Sequence, residues 1–355
     1  MLHKCISHGP NTPLPVGSWV TVAALLAYSG AVRHWRSSFN LNTKEVMKKS
    51  FIAVAALAAV SAASAQSSLN LYGIADVVIH KDDIRGEPSK PLTMTSGGVS
   101  TSRIGFKGTE DLGGGLKANF LFEQGLDLTN GGLKGNGFDR QAYVGLSGGF
   151  GEVKFGNVYT AYDDISGATN PVFDANTLAP TSVWLSTGYY SNPGSNLYYA
   201  TPNFGGFSGA VSYSLDGSKK AVTSFHVKYE GGPIYVGMAY QDDSEGTNTK
   251  APGDKYTRLN GSYDFGSFKL LAGYGKVKTA DATEYSIGAD VPLSSNLVLS
   301  AGYASSKAGD AKRDYGVAVG AAYSLSKRTT VYGGLRNVEG NKDESRVGAG
   351  VKHVF

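Results

Sequence analysis

The sequence predicts an all-β fold, a sixteen-stranded antiparallel transmembrane β-barrel with a long third loop folded into its lumen. Three observations predict it. Residues 67–355 keep one rhythm of about ten alternating residues and a turn, and the alternating segments number about sixteen, an even count. The turns alternate in length as well. Short ones (GGFG, EGGP, FGSF, PLSSN, LSKR) exchange with longer polar ones (HKDDIRGEPSKP, QDDSEGTNTKAPGD, EGNKDE), which puts short turns at one end and long loops at the other. Composition agrees: 48 glycines, 21 tyrosines and 17% charged residues favour strands and tight turns over helices. A secreted β-sandwich would also alternate, but it would not carry so many strands in one run with this turn asymmetry. A barrel of sixteen strands is too wide for side chains to fill, so its inner face is wet and its apolar face meets lipid.

The chain opens with segments outside that rhythm. Met47 begins MKKSFIAVAALAAVSAASA, in which Lys48 and Lys49 precede an apolar stretch too short to span a membrane, and Ala63-Ser64-Ala65 forms a small-x-small cleavage site. Residues 47–65 therefore read as a signal peptide, cleaved before Gln66. Residues 1–46 read as a non-native or untranslated extension, with the natural start at Met47; a long natural leader is the other reading. Nowhere do eighteen apolar residues run together, so no transmembrane helix is indicated. The one cysteine, Cys5, lies in the leader, which leaves residues 66–355 without a disulfide or a Cys-ligated metal. Residues 1–65 carry Lys4, Arg33, Arg36, Lys44, Lys48 and Lys49 against Glu45, and the whole chain's +4 less this +5 leaves −1. The basicity belongs to the leader and argues against a nucleic-acid partner.

In SLNLYGIADVVI (68–79) and STSRIGFKGTED (100–111) the alternation is clear: Ile104 and Phe106 share one face, Arg103 and Lys107 the other. In GLKANFLFEQGLDL, Phe120 and Phe122 oppose Leu121 and Glu123. FDRQAYVGLSG and GEVKFGNVY follow, joined by a turn at Gly148–Gly151; Tyr143, Val153 and Phe155 are expected on one face, Arg140 and Lys154 on the other. Eleven further segments run from NLYYATP to SRVGAGVKHVF. Among them, SFHVKYEGG sets Phe225, Val227 and Tyr229 against His226 and Lys228. Tyr213, Tyr240, Tyr263, Phe265, Tyr274, Tyr323 and Phe355 lie near strand ends and suit interfacial girdles. Parity turns Arg103, Lys107, Arg140, Lys154, Arg336 and Arg346 inward, and a one-residue slip would put Arg103 and Arg140 into lipid at about 2–4 kcal/mol each.

Only residues 160–196 break the rhythm. TAYDDISGATNPVFDANTLAPTSVWLSTGYYSNPGSN is too long for a hairpin loop, and structureless loops of this length are usually functional. It is expected to fold inward and narrow the pore.

The chain resembles the general porins of Gram-negative outer membranes, beta-proteobacterial type. SLNLYGIADV, SRIGFKGTEDLGGGLKANFLFE, RQAYVGLSGGFGEVKFGN and the closing VGAGVKHVF carry the resemblance, which covers essentially all of residues 66–355. It implies a trimer with the third loop as constriction, and Phe355 as the recognition signal for the barrel-assembly machinery. It further implies basic wall residues on the second and fourth strands facing acids on that loop. Arg103 and Arg140 match the wall positions, and the loop offers Asp163, Asp164 and Asp174; Lys107, Lys154 and Glu123 complete the candidate wall. Where related chains read NSVRYDSP after the loop, this one reads SNLYYATP, so Tyr198 replaces a wall arginine and only a weak anion preference is expected.

Other chemistries find less support. His80, at a loop, His226, on a strand, and His353, turned toward lipid by its parity with Phe355, sit in no visible Ser/His/Asp arrangement. The glycine runs 113–115 and 148–151 lack the strand–loop–helix setting of a phosphate cradle. Glu339, Asp343 and Glu344 read as an exposed polar loop rather than a cation site. The expectation is a non-enzymatic outer-membrane channel for passive diffusion of ions and small hydrophilic solutes, in contact with outer-membrane lipid and lipopolysaccharide and without metal or cofactor. A solute-specific channel for sugars or organic acids is the alternative, with Trp184, Tyr189, Tyr190 and Tyr198 as its aromatic track; an outer-membrane enzyme or adhesin is a third class.

Overall fold

A computed structural model of the chain describes residues 68–215, 221–244, 253–341 and 343–355. The expected extension, 1–46, and the expected signal peptide, 47–65, lie outside the described residues. Among the described residues, sixteen antiparallel strands form the wall: β1 (Ser68–Ile84), β2 (Arg103–Gly113), β3 (Leu116–Asp127), β4 (Gln141–Gly148), β5 (Gly151–Asn157), β6 (Asn196–Ala200), β7 (Phe207–Ser214), β8 (Thr223–Gly231), β9 (Ile234–Asp242), β10 (Lys255–Asp264), β11 (Lys269–Val277), β12 (Ala282–Pro292), β13 (Leu297–Ala308), β14 (Asp314–Ser324), β15 (Thr329–Glu339) and β16 (Glu344–Val354). Each pairs with the next, and β1 pairs with β16 from Ile74↔Val354 to Ile84↔Glu344, which closes the sheet. Gly73 and Phe355 seal the seam by exchanging backbone bonds of 3.0 and 3.1 Å. Closure leaves no unpaired edge, the condition for a sheet to cross a bilayer.

The outer face carries the apolar side chains. Leu71, Val144, Phe155, Val227, Val236, Ile287, Val317 and Val351 are all exposed in the isolated chain. Exposed aromatics mark both ends of this belt: Phe207, Tyr263, Phe265, Tyr323 and Phe355 near the short turns, Tyr213, Tyr285 and Tyr315 near the long loops.

Two wall strands are interrupted, which the alternation did not reveal. Thr93–Ser96 pairs with β1 at residues 77–80, above the point where β2 pairs with residues 68–74. Gly132–Lys134 likewise pairs with β3 above β4. Each is the upper part of a wall strand, separated from its lower part by six residues, 97–102 and 135–140. Side chains fill the gaps in the ladder: Ser102 Oγ accepts from the backbone N–H of Asp76 at 3.0 Å, and Asp139 Oδ1 accepts from that of Gly125 at 2.8 Å.

Three expectations need correction. Tyr143 faces inward with Lys154, because the register pairs Tyr143 with Gly156 and Val144 with Phe155. Val153 and Phe155 lie on the opposite, outer face. Arg140 precedes β4 and reaches the lumen through the bend before it, not through strand parity. His80 lies on β1 rather than in a loop: β1 continues through HKDDI against β16, and His80 is buried between Asp82 (3.0 Å) and Thr95 (2.9 Å).

Candidate functional site

Residues 158–195 leave the wall and line its inside. A short helix, α1 (Asp163–Ser166), and three 3-10 turns replace the strand rhythm. Small wall residues make the room. Ala239 and Ala282 pack under Tyr162 and Ile165, Ala210 under Val158 and Ala161, and Ala318 under Val172, Ala175 and Leu178. On β12 a Cβ at Gly288 would lie 2.6 Å from the Pro171 ring, and one at Gly302 on β13 would collide with the same ring. Only glycine admits the loop there.

Polar anchors fix the loop along its length. Thr160 Oγ1 donates to Gln241 (2.8 Å), and the Ala161 and Tyr162 amides donate to Ser212 Oγ (3.1 Å) and Ser224 Oγ (3.3 Å). His226 meets the Ala161 carbonyl at 2.7 Å. Buried Glu284 accepts from the Leu185 and Ser186 amides (2.5 and 3.2 Å) and from the Ser186 hydroxyl. Arg258, 1% exposed, lies 4.5 Å from the Trp184 ring and donates to Ser186 Oγ at 3.1 Å. At the tip, Arg336 and Arg346 both donate to the Thr177 carbonyl, at 2.9 and 3.3 Å.

The backbone at the tip is strained. Val172, Phe173 and Asp174 have φ of 57, 62 and 51°, three consecutive residues in the left-handed region, at about 1–2 kcal/mol each. Ser300 Oγ accepts the Val172 amide at 2.9 Å and holds this turn, from which Asp174 stands exposed.

The loop leaves one side of the lumen open. Around a space of ≈ 610 Å³, Arg103, Arg140 and Tyr159 on one side face Asp163, Asp164 and Asp174 on the other. The structure thus brings five of the eight expected pore residues together. Each is held. Arg140 Nε donates to Glu123 at 2.7 Å, and Arg103 lies 3.6 Å from the same carboxylate. Tyr72 adds a hydroxyl bond to Glu123 at 2.8 Å. Opposite, Tyr189 donates to Asp163 (2.5 Å), Tyr198 to Asp164 (2.7 Å) and Asn170 to Asp174 (2.7 Å). Burial pushes the Asp163 carboxyl up to about 6.

The other expected wall residues stand apart. Glu123 is 3% exposed and serves as the shared anchor of the two arginines, not as an open wall acid. Lys107 and Lys154 lie farther down the same wall. Lys107 sits 5.1 Å from the Tyr72 ring; Lys154 sits between the Tyr143 and Tyr198 rings (5.3 and 4.8 Å) and pairs with Glu152. Arg336 and Arg346 face inward as parity indicated, but Asp82 and Glu344 neutralise them. Sequence reasoning passed over Glu284, Gln241, Arg258 and Asp76, and treated His226 as bland. Their one signal was a polar residue at inward parity, which most lumen positions share.

A family model described as Gram-negative porin matches residues 53–343. Outer membrane porin protein 32 of Delftia acidovorans is 34% identical over 339 residues, covering 87% of this chain and 94% of that protein. Major outer membrane protein P.IB of a Neisseria meningitidis serogroup B strain is 30% identical over 351 residues, covering 87% of this chain and all of that protein. Among solved structures, an anion-selective porin from Comamonas acidovorans superposes with a TM-score of 0.72 at 24% identity, over 82% of this chain and all of that one. A closed sixteen-stranded wall, an inward third loop and these relatives together place the chain in the Gram-negative porin family, as an outer-membrane porin.

Proposed function

We propose that this porin is a general-diffusion pore whose ion preference is weak at neutral pH and turns toward anions as the pH falls. The charge balance across the constriction carries the reading. Two guanidinium groups share one carboxylate, leaving one positive charge on the wall. Lys107 adds a second on the same wall, and three loop acids oppose them, of which Asp163, its carboxyl pushed up by burial to about 6, is the first to lose its charge. With all three acids charged they outnumber the two wall charges by only one, a weak balance, and each acid that protonates as the pH falls moves that balance toward anions. Tyr198, in place of a wall arginine, gives Asp164 a neutral donor rather than a counter-charge.

A solute-specific track receives less support. Trp184, within the loop, is buried against Arg258 and Tyr198 is buried as well; of the four aromatics Tyr189 lines the passage, and a single ring makes no track. The reading assigns no catalysis: His80, His226 and His353 each make structural contacts, His353 with Thr329 at 2.9 Å. On the same reading the exposed outer belt contacts outer-membrane lipid and lipopolysaccharide, three copies associate, and exposed, outward-facing Phe355 is the assembly signal. Reversal potentials across a bilayer in a KCl gradient test the ion preference. The expected result is a value near zero at pH 7.5 that moves to the anion sign at pH 5; a clear cation sign at both would overturn the reading.

A further inference from the structure

The six residues 97–102 that interrupt the second wall strand form a strut between the wall and the tip of the constriction loop. We infer that Asp76 is the positioning residue of this strut and, through it, of both sides of the pore opening. The inference rests on the reading that Arg103 and the loop acids bound the passage.

Asp76 lies on β1 with its side chain inward, and it is 0% exposed. An isolated buried carboxylate is costly unless its lone pairs are met. Here the strut meets them. Asp76 Oδ1 accepts the Gly98 amide at 3.1 Å, and Oδ2 accepts those of Val99 and Ser100 at 3.0 and 2.7 Å. The Tyr332 hydroxyl, from β15, donates to Oδ1 at 2.5 Å. The backbone of Asp76 joins in: its carbonyl accepts from the Gly97 amide (2.7 Å) and the Ser102 hydroxyl (2.8 Å). One residue thus fixes five of the strut's six positions. Three consecutive amides converging on one carboxylate bend the chain away from the wall and into the lumen.

What the strut carries is the pore opening. On one side, Gly98 O accepts both the backbone amide and the hydroxyl of Thr177, each at 3.1 Å, and Gly97 O accepts the Asn176 amide group at 3.0 Å. Val99 packs against the cluster of Val172, Ala175 and Leu178. On the other side, the chain leaving the strut becomes Arg103, whose Nε donates to Thr101 O at 3.0 Å. Val99, Ser100 and Thr101 line the same space as Arg103, Arg140 and the loop acids. The wall cation and the tip that faces it are therefore spaced by one rigid piece, and Asp76 sets where that piece sits. Asp76 touches no permeating ion; it acts through Arg103 and Thr177.

The test is Asp76→Asn in the full-length channel, recorded in planar bilayers beside wild type, with barrel integrity checked by thermal unfolding. An amide presents one acceptor where the carboxylate presents two, so at least one strut N–H loses its partner. The expected result is higher open-channel noise, higher single-channel conductance and a reversal potential shifted toward cations, with the barrel still folded. A barrel that is merely less stable would keep the wild-type reversal potential. Thr177→Val, which removes only the hydroxyl bond to Gly98, should raise the noise without shifting selectivity. Should Asp76→Asn fail to assemble, Tyr332→Phe removes one donor from the same carboxylate and should move conductance and reversal potential in the same directions by less. Folded Asp76→Asn channels with wild-type conductance, noise and reversal potential overturn the inference while leaving the pore intact; if Asp76→Asn does not assemble, wild-type behaviour of Tyr332→Phe overturns it.

Discussion

Deletion of residues 166–182 is expected to raise the single-channel conductance severalfold and leave a folded barrel. The segment holds the 3-10 turn at Val172–Asp174, the Thr177 tip and all but the last residue of the turn at Pro180–Val183, all of which lie in the lumen. The wall it leaves behind does not collapse, because each wall strand pairs with the next around the closed sheet. Nor are charges stranded. Arg336 and Arg346 keep Glu344 and Asp82, and Ser300 keeps Asp290 at 2.5 Å. Those groups become water-exposed, so the penalty for burying an unpaired polar group does not arise. The strained turn at residues 172–174 is lost with the segment, which removes an unfavourable term. Conductance at the wild-type value in a folded variant would mean that this segment does not restrict the passage.

The second large effect concerns sign. Replacing Arg103 and Arg140 together by Gln is expected to turn the pore cation-selective at neutral pH. In the native wall the two arginines outnumber Glu123, a local charge of +1. The double variant leaves Glu123 with the Tyr72 hydroxyl alone, a local charge of −1 facing three loop acids. Rings and clusters of one sign at the narrowest point set ion preference, so the reversal potential should change sign. Arg140→Gln alone should act in the same direction by less and should destabilise the barrel by about 1–3 kcal/mol, because it removes the 2.7 Å bond to a carboxylate that is 3% exposed. A reversal potential unchanged in the double variant would take the arginines out of the selectivity mechanism.

Much of the wall was legible in the sequence because period two is a local property. Ile104 and Phe106 against Arg103 and Lys107, and Phe225 and Val227 against His226, fall on the faces that alternation assigns. Errors arose where a non-local partner decides the structure. HKDDI looks like a loop because its outward positions, Lys81 and Asp83, are charged; β16 nevertheless pairs with it, as the closing seam must. Tyr143 was misplaced because its face depends on the register of the β4–β5 hairpin, which sets it opposite Gly156. Arg140 reaches the lumen from a bend, at the lower end of a strand interruption that no alternation signals.

The loop shows the same division. Its inward course was inferable from its length and position after the fifth strand, and its acids could be named. Its anchors could not. Glu284, Gln241, Ser212, Ser300 and Arg336 lie 51 to 159 residues from the loop atoms they hold. Nothing in the sequence sets Gly288 and Gly302 apart from the other glycines of the wall; only the fold places Pro171 against them. The pairing of Tyr189 with Asp163 and of Tyr198 with Asp164 explains what the missing wall arginine left behind: phenols hold the acids in place without neutralising them.

The most direct test of a water-filled pore narrowed by its own loop is single-channel recording of protein refolded from residue 66 onward. The account predicts discrete conductance steps in groups of three, with conductance proportional to bulk salt conductivity as expected of a wet passage. A folded barrel that inserts into bilayers and passes no current would contradict it.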